Sequence, residues 1–159
     1  MLSAPLTKEE LFWVINLIST NKTPGIDGIP IEFYIEFWTE IADDLLDLYN
    51  HVLQTGCLTV SQRRAIINII PKNGESKYIT NFRPLSLLCV DYKILSKLIS
   101  ERTKKILCKI IHSKQFCSVP GRNINQCNME LRDIIFYASD QNMELAILNL
   151  DWYKAFDTV

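Results

Sequence analysis

The sequence has 159 residues, of which 48% are apolar, and its formal net charge is −1 at neutral pH. A chain of this length and composition can bury a core of its own, which argues against an intrinsically disordered protein. Charged residues interrupt every apolar stretch before the roughly 18 residues of a membrane span accumulate, and the N-terminus lacks the apolar segment of a signal peptide. We therefore expect an intracellular chain without a membrane partner, either cytoplasmic or nuclear.

The cysteines and histidines lack the spacing of metal sites or of paired thiols. There are five cysteines and two histidines, and no two cysteines form a CxxC pair. We expect reduced thiols in or near the core rather than zinc ligands or disulfides.

Basic residues are concentrated in the middle of the chain. Residues 1–62 hold 2 basic and 9 acidic side chains, residues 63–132 hold 14 and 4, and residues 133–159 hold 1 and 5. A central basic block indicates either contact with a polyanion or solvated helix faces, and charge alone leaves both interpretations open.

The first predicted helix begins after Thr7, which has capping-box spacing to Glu10, and it should end near Thr20. Prolines and glycines enforce turns over residues 24–30. From Ile31 to about Gln54, apolar residues recur at helical spacing and predict one long amphipathic helix.

The middle of the chain predicts a hairpin, and the remainder alternates between helix and strand patterns. A β-branched run at residues 65–70 and an apolar run after Arg83 flank a polar turn, which predicts a β-hairpin with a mobile tip. Helical periodicity returns at residues 91–111 and again at 123–139. The apolar run at residues 143–151 predicts a strand that ends at Asp151.

A carboxylate at the carboxyl end of a strand stands where α/β proteins tend to place ligand sites, so Asp151 could bind a divalent cation. The alternatives are a helix N-cap or a salt-bridge partner, and the spacing leaves them open.

The segment LDWYKAFDTV (150–159) resembles the first catalytic motif of reverse transcriptases from LINE-type (non-LTR) retrotransposons. Further blocks occur in the family's order, and the whole set spans about 140 residues: KTPGIDGIPIEFY (22–34), IINIIPK (66–72), NFRPLSLL (81–88) followed by YKILSKLISERTKKIL, and VPGRNINQCNMELRDII (119–135). The Ala-Phe-Asp triplet alone would be a weak signal, whereas the ordered set makes coincidence improbable.

The resemblance implies an α+β fold, namely the fingers (about 1–142) and the first palm strand (143–159) of a right-hand polymerase that copies RNA into DNA. It implies that Asp151 and the carbonyl of Trp152 hold Mg²⁺, as one part of a two-metal site. Phe156 would pack against the sugar of the incoming nucleotide, although ordinary core packing is an equally simple role. For Asp157 the resemblance favours fixing a local turn over binding metal.

By the same resemblance, the hairpin would close over the triphosphate of a deoxynucleotide through Arg83 and Lys72, whose cationic groups suit phosphate oxygens. Lys77 at its tip would touch the template. The alternative is a surface hairpin whose charges keep an edge strand soluble.

Other residues would contact the RNA template and the DNA primer. The resemblance puts Gly25, Asp27 and Gly28 along both strands, although the glycines could serve only as turn formers. Arg122 would lie near the template path, and the lysines of residues 93–109 fit sequence-independent phosphate contacts.

The sequence also departs from the family's pattern. Gln115 is followed by Phe116, Cys117 and Ser118, where the family usually has Gln-x-Gly-Phe. The family's later catalytic carboxylates, its nucleotide-pocket motif and its thumb would follow Val159. We therefore expect the isolated chain to be inactive as a polymerase and poorly soluble, and a non-catalytic nucleic-acid-binding remnant or a decayed gene product is the alternative.

Overall fold

The computed structural model describes residues 4–72 and 77–151. The elements in chain order are α1 (Lys8–Asn16), α2 (Ile31–Glu36), α3 (Trp38–Thr55), β1 (Ala65–Pro71), β2 (Phe82–Leu88), α4 (Val90–Ile110) and α5 (Ile124–Asp140), with a short 3₁₀ turn, Ile79–Asn81, before β2. Helices combined with a small antiparallel sheet confirm the predicted α+β class. The chain divides into two compact units, Met1–Ile106 and Leu107–Val159, which are described separately below.

Helix α1 begins where its cap predicts. The side chain of Thr7 accepts a hydrogen bond from Glu10 N at 3.3 Å. The helix ends at Asn16, earlier than predicted, because Leu17 N and Ile18 N donate to carbonyls three residues back. Such bonds tighten and close the last turn of a helix.

The predicted single helix from Ile31 to Gln54 is wrong, because the helix breaks at Phe37. Its backbone angles are φ −96° and ψ 24°, which separate α2 from α3. Four of the six residues at positions 33–38 are aromatic, and aromatic side chains lose rotamer freedom in a helix. Helix α3 then ends at Gly56, whose φ of +69° gives the left-handed cap that favours glycine.

The core of the first unit is formed by the inner faces of α1 to α4. Its buried members are Leu6, Leu11, Val14, Ile15, Ile31, Tyr34, Leu45, Tyr49, Val52, Val90, Ile94, Leu95 and Leu98. Tyr49 is fully buried, and its hydroxyl donates to the main-chain oxygen of Asp91 at 2.8 Å. Burial raises the pKa of Tyr49, so this phenol stays protonated and serves as a donor.

Arg102 of α4 ties the N-terminal segment to this core. Its Nε and Nη2 atoms donate to the two carboxylate oxygens of Glu10 at 2.8 and 2.6 Å. Its Nη1 donates to the main-chain oxygen of Ala4 at 2.6 Å. The two hydrogen bonds from Arg102 to the Glu10 carboxylate hold the pKa of Glu10 below its usual value.

The predicted hairpin is confirmed. Strands β1 and β2 pair antiparallel from Ala65 opposite Leu88 to Pro71 opposite Phe82. Every residue of β1 is exposed, although the strand is rich in isoleucine. The predicted mobile tip falls on residues 73–76, which lie outside the described residues.

Helix α5 belongs to the second unit and begins at a capping box. The side chain of Asn123 accepts from Asn125 N at 2.9 Å, and Asn123 N donates to Gln126 Oε1 at 3.2 Å. Both predicted ends of this helix lie within one residue of the observed ones.

The predicted C-terminal palm strand is not formed, because residues 143–150 have no regular secondary structure and are exposed. A strand needs a neighbour for its N–H and C=O groups. In the described part of the chain, the sheet consists of β1 and β2 paired with each other. The apolar character of residues 143–150 therefore predicted a strand, but no described strand pairs with them.

The cysteines are less buried than predicted. Cys89 is buried, but Cys57, Cys108 and Cys117 are exposed, so the expectation of core thiols is wrong for these three residues. Among the described helices, none is both long and apolar enough to cross a bilayer.

Candidate functional site

Two of the predicted nucleotide-binding cations lie on the hairpin or directly beside it. Arg83 in β2 pairs with Ile70 in β1, and the ladder continues through a hydrogen bond from Lys72 N to Asn81 O at 2.7 Å. Lys72 directly follows β1 and is two residues beyond Ile70, the partner of Arg83.

Lys77 lies on the other side of residues 73–76 and is exposed. Tyr78 beside it is 71% exposed. An exposed aromatic ring next to a cation provides a base-stacking surface together with a phosphate contact. The sequence interpretation missed Tyr78, although an aromatic residue next to a lysine in a polar turn is a signal that could have indicated it.

The predicted template turn packs directly against the junction of β2 and α4. A Cβ atom at Gly25 would lie 2.4 Å from Cys89 N and 2.7 Å from the carbonyl carbon of Leu88. Any residue with a Cβ atom at position 25 would overlap the main chain of residues 88–89, so this position requires glycine. Gly28 serves a different purpose, because its φ of +71° is left-handed and no atom lies within 4 Å of a Cβ placed there.

Asp27 holds this turn and faces two side chains that the sequence interpretation missed. Its Oδ1 accepts from Ile29 N at 3.2 Å. Ligand atoms of Asp27, Cys89 and Asp91 all lie within 4.8 Å of one another. Cys89 and Asp91 follow β2 directly in the sequence, but no local pattern links them to Asp27, so only the folded chain reveals the group.

The electrostatics of this group do not suit a magnesium ion, which the sequence resemblance places at Asp151 and Trp152 and not here. Burial raises the pKa of the Cys89 thiol and of the Asp91 carboxyl. The hydrogen bond that Tyr92 N donates to Asp91 Oδ1 at 2.7 Å opposes the shift of Asp91. Mg²⁺ requires an octahedral shell of oxygen atoms, and a protonated thiol cannot supply one of them.

Arg122 is predicted to lie near the template, and in the second unit it binds main-chain oxygens. Its Nη1 donates to the carbonyls of His112 and Gln115 at 2.6 and 2.8 Å, and its Nη2 donates to Ile111 at 3.0 Å. These bonds connect the end of α4 to the turn that carries Arg122. The side chain therefore has a structural role, and its predicted contact with the template stays a prediction.

Asp151 is the last residue that the structure describes, and it is exposed. Among the described residues, Asp151 joins no cluster of three side chains able to hold a metal ion. Trp152, Phe156 and Asp157 lie outside the described residues, so their predicted roles stay predictions. Oxygen atoms from a carboxylate and a main-chain carbonyl are the donor type that Mg²⁺ prefers.

The hairpin carries Arg83, Lys72 follows its first strand, and α4 after it contains several lysines; arginine and lysine are the side chains that suit phosphate-bearing ligands. Comparison with known families gives the particular class. Residues 70–159, more than half of the chain, match the family described as "Reverse transcriptase (RNA-dependent DNA polymerase)". The chain belongs to this family.

Individual relatives extend the match to almost the entire chain. The chain is 41% identical over 158 residues to the "Transposon TX1 uncharacterized 149 kDa protein" of Xenopus laevis. This alignment covers 99% of the chain and 12% of that protein. The chain is 26% identical to the "Probable RNA-directed DNA polymerase from transposon BS" of Drosophila melanogaster, covering 98% of this chain and 17% of the relative. A "Retrovirus-related Pol polyprotein from type-1 retrotransposable element R2" of Popillia japonica is 23% identical, covering 98% and 21%.

These relatives confirm the predicted resemblance to reverse transcriptases of LINE-type elements. The chain spans only 12% to 21% of the length of these relatives.

Proposed function

We propose that this chain is the fingers and the beginning of the palm of an RNA-directed DNA polymerase from a non-LTR retrotransposon. Residues 1–142 form the fingers region, and residues 143–159 carry the first catalytic motif. The observation that carries the proposal is the family match over residues 70–159. The position of Arg83 in β2, with Lys72 directly after β1, supports it, because the family binds nucleotide triphosphates.

The chain's own residues would bind and orient the reactants. Arg83 and Lys72 hold the triphosphate of the incoming deoxynucleotide, and Phe156 packs against its sugar. Asp151 and the carbonyl of Trp152 would hold Mg²⁺, which activates the primer hydroxyl and neutralises the leaving pyrophosphate. The resulting reaction joins the primer 3′ oxygen to the α-phosphate of the nucleotide.

In the first unit, the hairpin tip and the turn at residues 25–28 would contact the template and primer; in the second unit, the turn of Arg122 would lie near the template. Lys77 and the segment from Gly25 through Asp27 to Gly28 contact the strands, and Tyr78 offers a ring for stacking. The close packing of Gly25 on the start of α4 keeps this turn in a fixed position. Arg122 holds its own turn through the three carbonyl bonds. A cellular location with access to RNA, either the cytoplasm or the nucleus, follows from this role.

Nucleotide binding tests the proposal. We would measure the affinity of a fluorescent deoxynucleotide for the chain assembled on an RNA template and DNA primer in Mg²⁺. Hydrogen bonds to charged groups contribute about 1.5–3 kcal/mol when buried, and exposed ion pairs contribute about 1 kcal/mol or less. Because Arg83 is exposed, the smaller value applies, and Arg83→Gln should weaken binding by up to about fivefold.

The matched control is Arg132→Gln, which removes an exposed arginine from α5 beside Asp133. It should leave the nucleotide affinity unchanged. If both variants bind equally well, the hairpin does not hold the triphosphate and the proposed role of Arg83 is wrong.

We further propose that the isolated chain does not synthesise DNA. A two-metal site needs more than one carboxylate to hold ions about 4 Å apart, and among the described residues Asp151 joins no group of three or more side chains able to hold a metal ion. Primer extension with Mg²⁺ or Mn²⁺ and all four deoxynucleotides should give no product. Template-dependent synthesis that disappears in Asp151→Asn would overturn this expectation.

A second candidate is a nucleic-acid-binding module without chemistry. The excess of 14 basic over 4 acidic residues in segment 63–132 favours it. Such a module binds nucleic acid and shows a strong salt dependence, but its affinity for nucleotide does not respond to Arg83→Gln.

A further inference from the structure

Three side chains that can bind metal meet where the turn after α1 packs on the start of α4. The ligand atoms of Asp27, Cys89 and Asp91 all lie within 4.8 Å of one another. Asp27 belongs to the turn, whereas Cys89 and Asp91 belong to the distant segment that joins β2 to α4. The close backbone approach at Gly25 brings the two segments together. We call these three residues the Asp27 cluster.

Main-chain contacts hold both carboxylates of the Asp27 cluster in place. Asp27 Oδ1 accepts from Ile29 N at 3.2 Å, and Asp91 Oδ1 accepts from Tyr92 N at 2.7 Å. The buried hydroxyl of Tyr49 donates to the main-chain oxygen of Asp91 and fixes the start of α4. A carboxylate has two oxygens, so each aspartate can keep its bond and still offer an oxygen to an ion. Ligands that are already positioned lose little entropy when an ion binds.

A buried amide group faces the Asp27 cluster with an unused donor. Gln62 is 2% exposed, and in the described part of the chain its Nε2 has no hydrogen-bond partner. Its Oε1 accepts from Thr59 N at 3.2 Å, and the side chain faces the carboxyl of Asp91. The oxygen of the preceding residue, Ser61, lies 4.0 Å from Cys89 Sγ. A buried donor without a partner is destabilising, so an oxygen atom bound between Gln62 and the cluster would satisfy it.

The donor atoms of the Asp27 cluster suit zinc better than magnesium or calcium. Thiolate sulfur selects zinc and softer ions, whereas Mg²⁺ and Ca²⁺ take oxygen ligands. Tetrahedral zinc, with bonds of about 2.3 Å to sulfur and about 2.0–2.2 Å to oxygen, needs ligand atoms roughly 3.3–3.6 Å apart. The atoms of the cluster, within 4.8 Å of one another, would therefore close by at most about 1.5 Å. Asp27 is exposed, so its side chain can make this movement and an ion can enter beside it.

We propose that the Asp27 cluster binds one zinc ion through Asp27, Cys89 and Asp91. Binding displaces the proton of the Cys89 thiol to solvent. Three protein ligands leave a fourth position for a water molecule, whose oxygen accepts a hydrogen bond from Gln62 Nε2. The ion joins the turn at residues 25–28 to the start of α4. This inference does not rest on the proposed polymerase function.

Metal titrations of the full chain, first cleared of metal with EDTA, test this proposal. Co²⁺ takes the place of zinc in such sites, and a cobalt–thiolate bond absorbs in the near ultraviolet. This band should appear on adding Co²⁺ and disappear when Zn²⁺ replaces it. Cys89→Ala should abolish the band and weaken zinc binding about 100-fold. The matched control, Cys57→Ala, removes an exposed thiol outside the cluster and should leave both unchanged.

Two milder variants keep the test independent of folding. Asp27→Asn alters an exposed side chain but retains an acceptor for Ile29 N, and it should weaken zinc binding at least about tenfold. Its control is Asp44→Asn, at an exposed position of α3, which should bind zinc like wild type. Gln62→Met removes no ligand, so the cobalt–thiolate band should remain, while the zinc affinity should fall about tenfold, as is typical when a partner of the ligand shell is lost.

Zinc should also protect the wild-type chain against urea, because an ion that binds only the folded state stabilises it. Asp91→Asn should lose this protection, although in EDTA it should be at least as stable as wild type. Circular dichroism confirms that each variant is folded.

Three results would overturn the proposal: a cobalt spectrum without the thiolate band, equal zinc affinity in Cys89→Ala and Cys57→Ala, or equal affinity in Asp27→Asn and Asp44→Asn. Unchanged affinity in Gln62→Met would overturn the role given to Gln62. None of these measurements contains a nucleotide or nucleic acid, so their failure is distinguishable from a failure of the proposed function.

Discussion

Gly25→Ala should be one of the most damaging single-methyl additions in this chain. The new Cβ would lie 2.4 Å from Cys89 N, about 1.0 Å short of the 3.4 Å at which ordinary contact begins. The atoms it meets belong to the main chain of residues 88–89, so no side-chain rotation can relieve the overlap. Overpacking typically costs 1–3 kcal/mol, and we expect about 3 kcal/mol here because the junction of β2 and α4 must move.

Urea unfolding measures this cost, provided that the slope of the free energy of unfolding against urea stays unchanged. Gly28→Ala is the matched control in the same turn. Its left-handed backbone, with φ at +71° and no neighbour within 4 Å, should cost about 1–2 kcal/mol. If Gly25→Ala proves no more costly than Gly28→Ala, the close approach of the turn to α4 is not real.

Three more substitutions test the packing and electrostatics of the first unit. Tyr49→Phe removes the donor to the buried oxygen of Asp91 and should lower the free energy of urea unfolding by about 1–2 kcal/mol; no change would contradict the bond. Arg102→Lys loses the paired contact with Glu10, whose lowered pKa contributes stability above pH 4.5 that is lost as the pH falls. This variant should therefore be less stable near neutral pH and less sensitive to acid than wild type, and parallel pH profiles would exclude the role of Arg102. Asp91→Asn should stabilise the chain at neutral pH, because the raised pKa of Asp91 makes its ionised form costly in the folded state. That gain should disappear below pH 3.8, where the carboxyl is protonated in both states, and a gain that persisted there would contradict burial as its cause.

Elements defined by local chemistry were predictable from the sequence. The cap at Thr7 and the β-branched runs on each side of the hairpin act over a few residues, so their patterns are readable without tertiary contacts. The break at Phe37 was not predictable, because apolar periodicity continues through it and only the aromatic run 33–38 hints at weak helix preference. The run at 143–150 is apolar like a strand, but pairing depends on a neighbour that periodicity does not reveal.

The candidate site was only partly predictable for the same reason. The hairpin that carries Arg83, and whose first strand Lys72 directly follows, is encoded locally. The contact of Gly25 with Cys89, and the meeting of Lys22 with Lys93 in one hollow, join segments distant in sequence. Such juxtapositions depend on how α1 and α4 pack, and composition shows only that a basic block exists.

The most direct test of the central claim, that this chain contacts an RNA template and a DNA primer, is equilibrium binding of an RNA–DNA hybrid with a single-stranded RNA overhang. We would measure the affinity of the wild-type chain over a series of salt concentrations. The account predicts a complex at low salt whose log affinity falls linearly as log salt rises. No complex at the lowest salt concentration, or an affinity that does not depend on salt, would contradict it.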